Sequence, residues 1–471
     1  MKKLFAVGYI LWLCLLSSQR VSAQNDTLKK PDNNFIVSDE TQSIGTYNLQ
    51  QCIAYALQYA ESLKKQQYQI QISEQEVKER LATGLPEVKA QARVTNNLRI
   101  PSIFIPDGRS FNPNLPPGPV GIQLQTQFGG DASVNVEQLL FDFSYFMGLK
   151  AARTYTDLAK HQLNLSKIDI AERVTKAYYG VLINQARLDL VRLDFYRLDT
   201  LLKYTQALQK NGLVEKIDVM RAEVALNNTV TLRQKTEKVQ ELTLQILKYQ
   251  MGMNIRDSII LEGNISAVEL TSDDNMETEP NYKSRLEYIL LETNTQLQAI
   301  NYKYNKSNYY PRFYAFGTAG ANTGQNEFGE VWRFRNNWYK YFNVGASMSW
   351  TIFDGWKRRH TLQKVRLEML KIEEDKKILK KNVDWEVAQA RSNLITSLKD
   401  LEIQKRNMEL AREVSNLSLI KYKNGVGTNV EFINAEAAYK EAELNYFTAL
   451  YNAVVSKVDI DKAMGRLLKT D

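Results

Sequence analysis

Few side chains in this 471-residue sequence could carry covalent chemistry. Two histidines and two cysteines are too few for a disulfide framework or for the usual Cys/His zinc site. His161 and His360 are isolated from one another, and there is no phosphate-binding Gly-Lys-Ser/Thr loop, no paired metal-binding histidine and no nucleophile elbow. Neither an enzyme nor a cofactor is expected. The sequence instead offers charge at helix starts. Asp218 follows Gly212 at the spacing at which Glu431 follows Gly425, and a helix N-terminus favours an acidic side chain through its dipole. Asn434 lies three residues beyond Glu431 and therefore on the same helix face. Exposed carboxylates attract cations and repel anions, an effect that salt screens. That is the chemistry open to this chain.

These residues sit in a duplicated frame. At a shift of about 213 residues, Lys210-Asn211-Gly212-Leu213 matches Lys423-Asn424-Gly425-Val426, Asp218 matches Glu431, Ala222-Glu223 matches Ala435-Glu436, and Met251-Gly252 matches Met464-Gly465. Each half reads as helix, strand, loop, strand, very long helix, turn, helix. The expected helices run over Leu49–Thr83, Ser144–Gln209, Tyr282–Asn308 and Gly355–Lys423, and no proline interrupts the chain between Val120 and Glu279 or after Pro311. The long helices carry a seam spaced four and three: Ile170, Val174, Ala177, Val181, Asn184, Leu188, Val191, Phe195, Leu198 and Leu202. The shift carries it to Val383, Val387, Ala390, Leu394, Ser397, Leu401, Gln404, Met408, Ala411 and Ser415. Both are coiled-coil seams, the second smaller and more polar.

Between the helices the period changes from 3.5 to 2. Val88, Ala90, Ala92 and Val94 alternate with polar residues, as do Val134 and Val136, and as do Val344, Ala346, Met348, Trp350 and Ile352; Phe313–Ala319 is a less regular fourth strand. Aromatic residues gather at the strand ends, among them Phe141, Tyr310, Trp338 and Trp356, as in the interfacial girdles of membrane barrels. Six of the ten prolines lie between Pro101 and Pro119, which marks an irregular external loop. Four strands cannot close a barrel, and an open sheet edge is not tolerated in lipid. Membrane-spanning strands therefore require oligomerisation.

The chain begins with Lys2 and Lys3, an apolar run from Leu4 to Leu16, and Val21-Ser22-Ala23, which together read as a secretory signal peptide. Cys52 is then the only cysteine left. The net charge of +8 is too dispersed to imply a nucleic-acid partner. The expected organisation is a signal peptide over 1–23, an N-terminal linker over 24–47, a first repeat over 48–252, an acidic linker over 253–281 and a second repeat over 282–471. The fold class is an α+β membrane protein with long antiparallel coiled-coil helices and four transmembrane β-strands per chain.

The export signal, the duplicated plan and the stretch Tyr422-Lys-Asn-Gly425-Val-Gly-Thr-Asn-Val-Glu431-Phe-Ile-Asn434-Ala-Glu436 resemble the TolC family of outer-membrane efflux channels. The resemblance implies a homotrimer whose twelve strands form one barrel in outer-membrane lipid, above a periplasmic α-helical tunnel. It also implies docking to a periplasmic adaptor and an inner-membrane pump, in a tripartite efflux or type I secretion system that exports small molecules or proteins. Tyr422 and Asp218 then occupy positions linking neighbouring coiled coils, Glu431 that of an acidic ring, and Gly212, Gly425 and Gly427 those of the periplasmic tip turns. The sequence departs from the family where Asn434 replaces a second acidic residue and Gly427 a basic linking residue. The alternative is a periplasmic or surface coiled-coil scaffold without a channel.

Overall fold

The computed structural model describes residues 45–110, 112–115, 117–263, 281–334 and 337–468. The signal peptide, nearly all of the N-terminal linker and residues 264–280 of the acidic linker lie outside the described residues. In chain order the elements are β1 (Gly45–Tyr47), α1 (Leu49–Tyr59), α2 (Glu61–Ala82), β2 (Glu87–Asn96), β3 (Ile103–Ile105), β4 (Val120–Ile122), β5 (Phe128–Phe141), α3 (Phe143–Lys210), α4 (Lys216–Met251), β6 (Ile259–Leu261), α5 (Leu286–Ser307), β7 (Arg312–Gln325), α6 (Phe328–Val331), β8 (Tyr339–Ser349), α7 (Lys357–Lys423) and α8 (Asn429–Ala463). They fall into two units. The smaller holds a parallel ladder in which Gly45, Thr46 and Tyr47 pair with Ile259, Ile260 and Leu261, so the segment read as an acidic linker contains a short strand.

The larger unit carries a four-stranded antiparallel sheet in the order β2-β5-β7-β8. Its register sorts the two faces. Val88, Val136, Gly317 and Val344 form one row across all four strands, and Ala90, Val134, Ala319 and Phe342 the next. The rows between them on the opposite face are polar: Lys89, Asn135, Thr318 and Asn343, and below them Gln91, Ser133, Gly320 and Tyr341. On that face Thr318 Oγ1 donates to Asn135 Oδ1 at 2.8 Å and the Tyr341 hydroxyl to Asp131 Oδ2 at 2.8 Å. The apolar face has no cover: Val88, Phe342, Val344 and Met348 are all more than 60% exposed. β5 and β7 run to 14 residues each, well beyond the segments expected from alternation, because glycines and polar residues at their outer ends obscure the period. β8 stops at Ser349, short of Ile352, as Trp350 leaves the ladder and gives its Nε1–H to the Tyr309 carbonyl at 3.1 Å.

Two long helices, α3 with 68 residues and α7 with 67, each reach about 100 Å at 1.5 Å per residue. α3 pairs with α4 and α7 with α8 as antiparallel hairpins. The seams lie inside: Ile170, Val174, Val181, Leu188, Val191 and Leu198 are buried, and so are Val383, Val387, Ala390, Leu394 and Ser415. A further apolar cluster of Ile183 with Phe447, Leu450 and Val454 joins α3 to α8, so the two hairpins share a core.

Two helix boundaries differ from those the sequence suggests. The stretch from Leu49 to Thr83 is broken at Ala60, whose ψ of 125° is extended. The C-cap Gly252 of α4 lies so close that a Cβ there would meet the Ala60 Cα at 2.8 Å; the break makes room for that approach. The helix expected from Tyr282 begins as a 3₁₀ turn and restarts at Leu286. There the extended Arg285 pairs with Glu287 and Glu386, both at 3.0 Å.

Candidate functional site

The expected site residues come together where the two helical hairpins turn. α3 ends at Asn211 and Gly212, whose φ of 73° places it in the left-handed region while Leu213 N–H reaches back to the Leu208 carbonyl at 3.0 Å. α7 ends in the same way: Gly425 has φ 72° and Val426 N–H bonds the Lys421 carbonyl at 3.0 Å. This is the glycine-terminated helix end in which orphan carbonyls are satisfied by a reversed chain. Gly427 serves another purpose. A Cβ there would lie 2.9 Å from Lys421 Cβ and 3.3 Å from the Tyr422 nitrogen, so the turn closes against the end of α7 only because no side chain intervenes.

Of the two helix starts that follow, only that of α8 has a side-chain cap. Thr428 and Glu431 form a reciprocal capping box at the start of α8, with Glu431 N–H donating to Thr428 Oγ1 at 3.2 Å. Glu431 and Asn434 are both exposed on α8. Asp218 stands in the first turn of α4, with Arg221 Nη1 at 3.5 Å.

Two contacts join the hairpins. Tyr422 is 6% exposed, packs with Leu198, Leu201, Ala222 and Phe432, and its hydroxyl lies 3.3 Å from that of the buried Thr205. Burial pushes the Tyr422 phenol up, the Thr205 hydroxyl opposes this, and the Asp218 charge adds to it. Second, Asn429 Nδ2 donates to the Asp218 main-chain carbonyl at 2.8 Å and approaches its carboxylate at 3.4 Å. Around these contacts lies a cavity of about 750 Å³ lined by both turns, including Tyr204, Asp218, Arg221, Tyr422 and Asn429. Asp218 and Tyr422 are thus brought to one place, each with a partner on the other hairpin of the same chain. Glu431 and Asn434 take no part in either contact.

Thr205 and Asn429 were not singled out from the sequence. Thr205 continues the four-three alternation beyond Leu202, and a threonine at a seam position is a readable signal for a buried hydrogen bond. Asn429 carries no such signal, since its partner is a carbonyl more than two hundred residues away.

Residues 290–466 match the outer membrane efflux protein family. The outer membrane protein TolC of Vibrio cholerae serotype O1 is 20% identical over 341 residues, covering 72% of this chain and 77% of that protein. The fold is similar to that of a membrane protein from Pseudomonas aeruginosa, with a TM-score of 0.67 at 15% identity over 88% of this chain and 92% of that one. It is also similar to the open state of the MtrE outer membrane channel of Neisseria gonorrhoeae, with a TM-score of 0.64 at 15% identity over 88% of each chain. The second half of the chain thus carries the pattern of the outer membrane efflux proteins, and the fold is that of outer-membrane channels. Outer membrane efflux proteins of this kind are conduits and not enzymes. The family match takes in Tyr422, Gly425, Gly427, Glu431 and Asn434, whereas Gly212 and Asp218 precede it.

Proposed function

We propose that this efflux protein works as a homotrimer, the passive exit duct of a tripartite efflux or type I secretion assembly, receiving its cargo through a periplasmic adaptor from an inner-membrane pump. The observation that carries the reading is the two-faced sheet. Its apolar rows are uncovered while its opposite face is polar and hydrogen-bonded, which is the division between lipid and water expected of a barrel wall. β2 and β8 each pair on one side only among the described residues, and in hydrocarbon those free edges must be satisfied by further strands. Copies of the same sheet supply them at the least cost in new structure, and three copies give the twelve strands implied by the family resemblance. As the family resemblance implies, the energy source lies in the pump, which supplies the work and selects the cargo.

In this reading the hairpin turns form the periplasmic tip. The Tyr422–Thr205 and Asn429–Asp218 contacts hold the two hairpins of each chain together, and three copies of Glu431 and Asn434 line the constriction. Mass measurement in mild detergent is expected to give three chains per particle. Reconstitution of that particle in planar bilayers is expected to give discrete cation-preferring channels. A stable monomer, or a trimer that conducts nothing after its tip contacts are removed, overturns the reading.

A further inference from the structure

Above the tip, the α3–α8 contact buries three carboxylates, and one of them lacks a hydrogen-bond partner. Asp194 on α3 is 6% exposed, and on α8 Glu436 is 3% and Glu443 4% exposed. Arg197 is drawn to Glu436, with Nη2 2.6 Å from both carboxylate oxygens, and Ser415 Oγ of α7 donates to the same carboxylate at 2.7 Å. Asp194 shares that guanidinium at 3.1 Å, while the other end of Arg197 approaches Asn416 Oδ1 at 3.4 Å and its face covers the Tyr439 ring at 5.5 Å. Lys440, the cation next to them on α8, turns away to hydrogen-bond Thr229 of α4. Glu443 feels the charges of Arg187 and Lys440, but its Oε1 is buried and without a hydrogen-bond partner. The remaining charges facing the cluster are Arg187 on α3 and Arg412 on α7. Four helices therefore enclose three acids, of which Glu436 alone is fully paired.

We propose that Asp194 and Glu443 form a proton-linked latch across the α3–α8 contact, each holding its proton more tightly while the two hairpins are packed together than when they part, so that rising pH favours separation. The latch rests on the reading of the tip as a gate that opens by separation of the hairpins. Burial pushes Asp194 up to about 6, opposed by Arg197 and aided by Glu436. Burial pushes Glu443 up to about 8, with the Asp194 charge adding to it. A carboxyl that is harder to ionise in the packed state binds its proton more tightly there than in the parted state. Below the ordinary carboxylate range both states are protonated and the linkage is silent. As pH rises, the parted state ionises first and gains stability, through about pH 6 for Asp194 and up to about pH 8 for Glu443, beyond which the effect is constant. The bonded Glu436–Arg197 pair is not part of the switch; it sets the register of the contact on which the switch acts.

The test follows hairpin separation directly. Spin labels at Tyr196→Cys on α3 and Leu444→Cys on α8, both exposed positions, are placed in a Cys52→Ala background of the detergent-solubilised full chain. The fraction of separated hairpins is expected to rise by at least about tenfold between about pH 5.5 and about pH 8.5. The Asp194→Asn, Glu443→Gln double variant, which keeps shape and fixes the neutral state, is expected to stay packed at both. A response shared equally by the two proteins, or no response in either, overturns the latch. If the double variant does not assemble, infrared spectra of Glu443→Gln alone decide: the carbonyl stretch of a protonated carboxyl at neutral pH should disappear in the variant, and its absence from the parent protein overturns the proposal. Distances that respond to pH while single-channel conductance does not would support the latch and overturn the gating role of the hairpins.

Discussion

Asn429 holds the tip more firmly than the acidic side chain that the family resemblance points to. Its Nδ2 donates to the main-chain carbonyl of Asp218 at 2.8 Å and reaches the carboxylate only at 3.4 Å, so Asp218→Ala leaves the shorter bond in place. Asn429→Ala removes both and should weaken the contact by about 1 kcal/mol, the net worth of a neutral hydrogen bond. Tyr422→Phe, which loses the Thr205 partner but keeps the buried ring, should cost about as much. Conductance of reconstituted channels is therefore expected to rise in the order Asp218→Ala, then Asn429→Ala or Tyr422→Phe, then the Tyr422→Phe, Asn429→Ala pair. An Asp218→Ala channel more open than the Asn429→Ala channel would show that the carboxylate carries the link. Glu431 allows charge to be separated from folding. Glutamine at the third helical position still closes the capping box with Thr428, so Glu431→Gln should leave unfolding unchanged within about 0.5 kcal/mol while reducing the preference for cations and the block by multivalent cations. Bilayer recordings at low and high salt check this, since a loss confined to low salt is the mark of a screened charge.

At the scale of elements, the sequence was most legible where one period persists. The four-three seams run along about half of α3 and α7, and their members are buried or half-buried, because a coiled coil turns the same stripe inward turn after turn. The breaks at Ala60 and Arg285 were illegible: neither has a proline or glycine, and each is made by a partner distant in sequence, the Gly252 approach for one and the Glu386 ion pair for the other. Strand lengths failed for a different reason, as glycines at the outer ends of β5 and β7 carry no apolar signal. The glycines also divide by cause. Gly252 and Gly425 have nearly the same positive φ, 73° and 72°, but a Cβ at Gly425 would meet nothing within 4 Å, whereas at Gly252 it would meet the backbone of Tyr59 and Ala60 at 2.8 to 3.1 Å. Gly425→Ala should cost about 1–2 kcal/mol for the left-handed backbone alone. Gly252→Ala should cost clearly more, since the α1–α2 break must also shift. Equal melting temperatures of the two variants would mean that the approach of α4 to Ala60 is not tight in solution.

For the whole molecule, the sheet gives the direction of the channel. One end of every strand leads into helix: β2 follows α2, β5 runs into α3, β7 follows α5 and β8 precedes α7. At the other end, where Phe128 pairs with Asn96 and Gln325 and where Tyr339 pairs with Asn322, two connections emerge, one of them carrying the single-turn helix α6. In the larger of them β3 and β4 pair Ile103 with Ile122, and a 3₁₀ turn over Gly108–Ser110 lies between the two strands, so the proline-rich connection has local order that its composition did not reveal. With the helices in the periplasm, as the exit-duct reading requires, this loop end must face the exterior, and long loops lie on that side of outer-membrane barrels. Asn114 is exposed in the turn between β3 and β4, so a short epitope inserted there disturbs no ladder. The tag is expected to bind antibody on intact cells as fully as after permeabilisation. Binding that appears only once the membrane is opened would invert the channel and place the hairpin turns, with Tyr422 and Asn429, on the wrong side to meet a pump.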